Sequence, residues 1–316
     1  MCSGAVRRAH TIQKEGGLRA IAESGHVVSV KKAALDLARN QGRIVPAPDG
    51  IGNASTFPGF CNAHDAIFAP AERATVILGK EAAFLLSYRA AVYEKFNKEA
   101  ALRFNMAMRE ESDKGRPFDE QAAIQSTLYL QKVGLELGLK DAIQFKAAFD
   151  EAFLAAYTGF DFVGIEFDSV LPLVSCGAFF PEFDLFGKRV GSLGAPVPLD
   201  PLVLNLTVLN ARSVLFLGWI GDGGPPEKFA ESFARIPDVE KANAAVRLAI
   251  EHVENTYCRP SWWNSLSESH RRDVIANAWT MEQPPVSRRR ADGSCIDGKI
   301  LATGTVRAQV GKILSP

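Results

Sequence analysis

The sequence predicts an α+β fold: a helical N-terminal region, then a small, mainly antiparallel sheet covered by C-terminal helices. Three observations carry this. Apolar residues recur at helical spacing across 80–111, with no Pro or Gly between Glu81 and Lys114. After Gly159 the pattern changes to short apolar runs bounded by Pro, Gly, Asn and Asp. Helical signals then return at Pro225-Pro226.

The elements follow in order. Phe84, Leu85, Tyr88, Val92 and Phe96 mark the first long helix, which Gly115-Arg116-Pro117 ends. Leu128, Leu135, Leu139, Phe145, Phe149 and Phe153 mark a second from Asp119 to Tyr157, with Gly134 and Gly138 as points where it can divide. Residues 160–167, 171–179, 202–209 and 214–220 read as strands, with a hairpin or edge excursion over 181–189. Helices are expected over 227–235, from Asp238 to about 255, and from Glu268 behind a Ser267 cap. Strands gathered in one stretch, not alternating with helices, argue against a dinucleotide-binding α/β fold or a (β/α)8 barrel. Texture divides the chain into a helical region 1–158, a sheet with C-terminal helices 159–281, and a flexible tail 282–316 containing Arg288-Arg289-Arg290.

Composition narrows the partners. With 316 residues, 47% of them hydrophobic and 23% charged, the chain can bury a substantial core. Its 36 basic and 36 acidic residues cancel, so no global field draws it to nucleic acid or an anionic membrane. The apolar runs at 82–86 and 214–220 fall far short of the ~20 residues of a membrane helix. The start lacks a secretory h-region, and the five scattered cysteines form no disulfide framework. These features predict a cytoplasmic location.

The densest chemistry lies at Phe60-Cys61-Asn62-Ala63-His64-Asp65, continuing to Phe68 and Glu72. A helix starting near Cys61 would put Cys61, His64, Asp65, Phe68 and Glu72 on one face, although Pro70 is awkward within it. Three readings stand side by side. Cys61 and His64 can be two ligands of zinc or another divalent metal, with His252 and Cys258 as candidates for the remaining pair. Cys61 can be a nucleophile with His64 as base and Asp65 as orienter, although residues this close on one helix rarely have triad geometry. Alternatively, Cys61 is a small buried hydrophobe, and Asp65 or Glu72 pairs with Arg89 on the long helix. The third ranks first. His64-Asp65 also invites comparison with His-Asp metal phosphohydrolases, but the small residue and Lys that commonly follow there are absent.

Two other segments bear on function. The loop 218–226 joins a strand to a helix but matches neither the phosphate-binding nor the dinucleotide fingerprint, so a turn is expected. Trp262-Trp263 can send one ring into the core and the other toward a protein partner.

Phe60-Cys61, His64-Asp65, Phe68, Glu72, Tyr88-Arg89, Glu254-Asn255 and Pro260-Ser261-Trp262-Trp263 together form a pattern. It resembles a family of uncharacterised bacterial proteins with an N-terminal Phe-Cys-x-x-His-Asp motif and a C-terminal Ser-x-Trp-Trp motif. In this chain Ser261 stands directly before Trp262. The resemblance spans roughly residues 50 to 280 and implies that the two clusters belong to one protein type; it brings no activity. Two function classes remain. A noncatalytic regulatory or interaction protein ranks slightly higher, because no complete catalytic set can be written down. The alternative is a metal-dependent or cysteine hydrolase centred on Cys61, His64 and Asp65, with Glu72 and Arg89 in support.

Overall fold

Antiparallel pairing organises most of the chain in the computed structural model, which describes residues 4–29, 40–41, 43–73, 78–193, 199–278 and 301–312. The strands are β1 (Val6–His10), β2 (His26–Ser29), β3 (Ala47–Gly50), β4 (Thr56–Cys61), β5 (Phe160–Phe167), β6 (Leu173–Phe179), β7 (Leu202–Leu209), β8 (Arg212–Ile220), β9 (Thr256–Cys258) and β10 (Val306–Gly311). β1 and β4 form a two-stranded ribbon. The others make one eight-stranded sheet in the order β10-β5-β8-β7-β6-β9-β2-β3. Every neighbouring pair in it is antiparallel.

This corrects the expected small sheet behind a helical N-terminal region. The apolar runs supplied only the centre, β5 to β8. The N-terminal region contributes β2 and β3 to one edge and contains the ribbon as well. The expected tail supplies β10 on the opposite edge, where Val310 pairs with Gly164, while 279–300 and 313–316, including Arg288-Arg289-Arg290, lie outside the described residues. Nor do the C-terminal helices alone cover the sheet.

Helices lie on both faces. α1 (Lys80–Glu111) and α2 (Phe118–Leu154) form a hairpin; α3 (Pro225–Ala234), α4 (Asp238–His252), α5 (Pro260–Ser265) and α6 (Glu268–Ala278) follow. One core joins Ala83, Phe84, Leu86 and Ala90 of α1 to Phe162, Val174, Cys176, Val203 and Phe216 of the sheet. On the other face Val163, Ile165, Leu204, Leu206, Leu215 and Leu217 meet Phe229 and Phe233 of α3 and Ala245 and Leu248 of α4. This explains why β7 is buried at every position and reads as a continuous apolar run, not an alternating one. α1 crosses the sheet closely at Gly218, where a Cβ would lie 2.6 Å from Ser87 Oγ. Among the described residues no helix is long and apolar enough to cross a membrane.

The hairpin extends past the sheet. Buried residues of α1 lie between Ala82 and Ala91 apart from Asn105, and those of α2 between Ala142 and Ala152. The remaining halves, joined by the turn at 112–117, pack mainly on each other: Asn105 donates to the Leu128 carbonyl at 3.1 Å and Gln125 to the Arg109 carbonyl at 2.6 Å. α2 runs unbroken through both Gly134 and Gly138.

Candidate functional site

Cys61 closes β4 in an extended conformation, and the chain then turns inward through Asn62–Asp65, Ala66–Phe68 and Ala69–Glu72. Three short helical turns replace the single helix expected. Pro70 thereby falls in the first turn of the last one, where its missing N–H has no partner to lose. Cys61 Sγ lies 3.4 Å from His64 Nδ1. The residue is only 6% exposed, whereas His64 is open to solvent and Asp65 half-buried. The pair has the contact needed for proton transfer between thiol and imidazole, but the sulfur is shielded from a substrate's approach.

Phe68 and Glu72 turn toward α1. Arg89, 2% exposed, donates through Nη2 to Glu72 Oε1 at 2.8 Å, and its guanidinium carbon lies 4.3 Å above the Phe68 ring. Of the two carboxylates considered for Arg89, Glu72 is its partner. Arg89 Nε and Nη1 are buried without a hydrogen-bond partner. Aromatic contacts extend the clamp: Phe60 meets Phe68 edge-on at 5.0 Å, and Phe57 meets Phe60 at 5.6 Å and Tyr93 at 5.2 Å. Next to Arg89, Tyr88 donates to Asp150 on α2 at 2.5 Å and stacks on Phe149. Burial raises the Tyr88 phenol above its ordinary range, and Asp150 adds to the shift.

Arg89 of α1 and Asn255 of the C-terminal segment both act on Cys176 of β6, a residue the sequence did not single out. Burial pushes its thiol up, against the field of Arg89 and with that of Glu94. From the C-terminal side, Asn255 Nδ2 donates to the Cys176 carbonyl at 3.1 Å, and the Cys176 N–H donates to the Asn255 carbonyl at 3.2 Å. Glu94, one turn beyond Arg89, accepts from the Ala178 N–H at 3.4 Å. Burial pushes its carboxyl up to about 7; Lys98 and the Ala178 N–H oppose the shift and Glu254 adds to it. Burial similarly carries Tyr93 to about 12. No local spacing reveals this convergence, because it is made by strand pairing between distant segments.

The other candidate ligands lie elsewhere. His252 stacks on Phe179 at 4.3 Å, and Cys258, buried with its thiol pushed up to about 12, belongs to the core on the α3–α4 face. Phe57, Phe60 and Phe68 belong to the opposite core. Among the described residues no group of three or more His, Cys, Asp or Glu could hold a metal ion. Trp263 lies in the α3–α4 core; Trp262 is half-buried and donates to the Leu301 carbonyl at 3.0 Å. In the 218–226 loop the Gly223 N–H donates to Glu227 at 2.5 Å, so the chain's own carboxylate takes the place an anion would need.

A second feature escaped the sequence reading. At about 100° per residue, Phe118, Ala122, Ser126, Tyr129, Leu130, Val133 and Leu137 fall on one face of α2 about 120° wide. All seven are exposed: Phe118 by 85%, Leu130 by 71% and Leu137 by 61%. Leu128, Leu135 and Leu139 lie on a less exposed side of the same helix. Phe104, Met106 and Met108 add exposed apolar side chains on α1. Scattered exposed apolar residues are ordinary; here they gather on one face of the arm, which also carries Asp119 and Glu136 near its ends.

Comparison with models of protein families, with curated proteins and with solved structures finds no match to this chain.

Proposed function

We propose that the chain is a noncatalytic, cytoplasmic interaction protein that holds a helical protein partner on the outer face of its α1–α2 arm. The observation that carries the reading is the exposed stripe from Phe118 to Leu137 on a hairpin whose outer halves lie beyond the sheet. In this reading the Cys61–Glu72 segment, Arg89 and Asn255 form a structural clamp that fixes the base of the arm to the sheet. The free, buried thiols of Cys176 and Cys258 suit a reducing compartment.

The 3.4 Å contact between Cys61 and His64 favours a second reading, a cysteine hydrolase. Burial of the sulfur weighs against it, and alkylation of Cys61 faster than that of a free small-molecule thiol would restore it.

The primary reading is tested by placing a photo-crosslinking phenylalanine analogue at Tyr129, and separately at Gln131 off the stripe, in the full chain within cells. A protein adduct from position 129, weak or absent from 131, is expected. A folded chain that gives no adduct from 129 would refute the reading.

A further inference from the structure

We infer that β10 is a releasable strap, pinned at Leu301 and buckled at Lys312, over an edge of β5 that docks an extended peptide segment of a protein partner. Among the described residues β10 is the outermost strand at its end of the sheet, paired with β5 alone. None of its residues is buried, whereas β5 is buried at every position but Asp161. A strand with so little buried surface opens locally before the sheet behind it does. Ahead of β10 the chain is fixed: Leu301 is 6% exposed, its N–H donates to Asn243 Oδ1 of α4 at 2.7 Å, and its carbonyl accepts from Trp262. Just past β10, Lys312 Nζ reaches Asp222 at 2.5 Å, Glu227 at 3.1 Å and Asp161 at 3.4 Å. These carboxylates come from the loop after β8, from α3 and from β5, so one side chain ties the strap to three segments.

The groups beneath the strap keep partners when it leaves. Arg307 lies 3.5 Å from Glu166, and Glu166 also holds Arg212 at 2.9 Å. Gln309 accepts from the buried Lys241 at 2.6 Å, and Lys241 also holds Asp238 at 2.7 Å. Glu227 accepts from the Gly223 N–H, while Asp161 and Asp222 are open to solvent. Release therefore leaves none of these buried charges without a partner, and that is the cost which would otherwise hold such a strand in place.

The uncovered edge selects its occupant. From Val163 to Phe167 the β5 backbone offers hydrogen-bonding groups to an incoming strand. A bulge between Val306 and Ala308 sends the strap's apolar groups to both faces, Val306 onto the α3–α4 core and Val310 onto the α1 core. The three carboxylates receive the residue two places beyond Val310. The docking segment is therefore extended, with β-branched residues at the Val306 and Val310 places and a Lys or Arg at the Lys312 place.

The test is amide hydrogen exchange on the full chain, parent against Lys312→Gln, read over 160–168 and 306–312. Exchange in both segments is expected to rise on the order of tenfold in the variant, with 202–220 and 238–252 unchanged. The docking probe is the peptide Thr-Val-Arg-Ala-Gln-Val-Gly-Lys, the chain's own 305–312, added to the variant at about 1 mM to compete with a tethered strand. It should restore protection over 160–168 while the chain's own 306–312 stays fast, and the same peptide ending in Gln should not. If 306–312 exchanges no faster in the variant, or does so only together with 202–220, the strap is overturned. If 160–168 opens and the peptide leaves it unprotected, the docking edge is overturned.

Discussion

Arg89 illustrates how a buried charge can act as structure. It lies against Phe68 and bonds Glu72, while two of its nitrogens have no hydrogen-bond partner. An unsatisfied buried guanidinium is costly, so packing supplies much of what it contributes. Arg89→Ala is expected to lose about 2–4 kcal/mol in denaturant unfolding, whereas Arg89→Met, which keeps the bulk and leaves the solvent-accessible Glu72 hydrated, should stay within about 1 kcal/mol of the parent. Equal losses in both variants would contradict the clamp. Glu94 makes a pH-dependent contribution. Its carboxyl titrates near 7 in the fold against an ordinary 4.5, so the folded state binds a proton that the unfolded state releases first. The associated stability is complete below 4.5 and is lost as pH rises through 7. Glu94→Gln should therefore gain on the parent by about 1–2 kcal/mol between pH 5 and 8, a figure reduced because the side chain keeps some solvent contact. Parallel stability profiles for the two chains would remove the effect.

At the scale of elements, the long helices and the central strands were legible because each has an unbroken pattern. α1 begins where the break-free stretch begins and ends three residues before its last residue, Lys114, and β5, β7 and β8 match apolar runs. The edge strands were hidden by their length and composition. β3 is Ala47-Pro48-Asp49-Gly50, a sequence that reads as a turn, and Pro48 is compatible with the edge position it occupies. β9 has only three residues and is held between β6 and β2. In α2 the glycines suggested a division, but leucines on either side and pairing with α1 carry the helix through them. Nothing lies within 4 Å of a Cβ built at Gly134. Gly134→Ala should therefore raise stability by about 1 kcal/mol through backbone entropy alone. An unchanged or lowered melting temperature would show that the helix is interrupted there.

Across the whole molecule, the legible part of the candidate site was the local part. Cys61 with His64, and Glu72 as one of two carboxylates for Arg89, follow from spacing and from the need of a buried charge for a partner. Cys176 was not legible, because pairing of β6 with β9 and the crossing of α1 bring Asn255 and Glu94 to it. The arm was hidden differently. Leu128, Leu135 and Leu139 overlap in sequence with Tyr129, Leu130, Val133 and Leu137, so two stripes merge into a helix that looks apolar almost all round. Only the fold, by taking α2 beyond the sheet, separates an inner stripe from an outer one. The most direct measurement is photo-crosslinking in cells from position 129 of the full chain, compared with the same probe in a Leu130→Glu, Leu137→Glu chain of matching thermal melt. A protein adduct is expected with the parent stripe and should be lost in the Leu130→Glu, Leu137→Glu chain. No adduct from the parent, or equal adducts from both chains, would contradict an interaction arm.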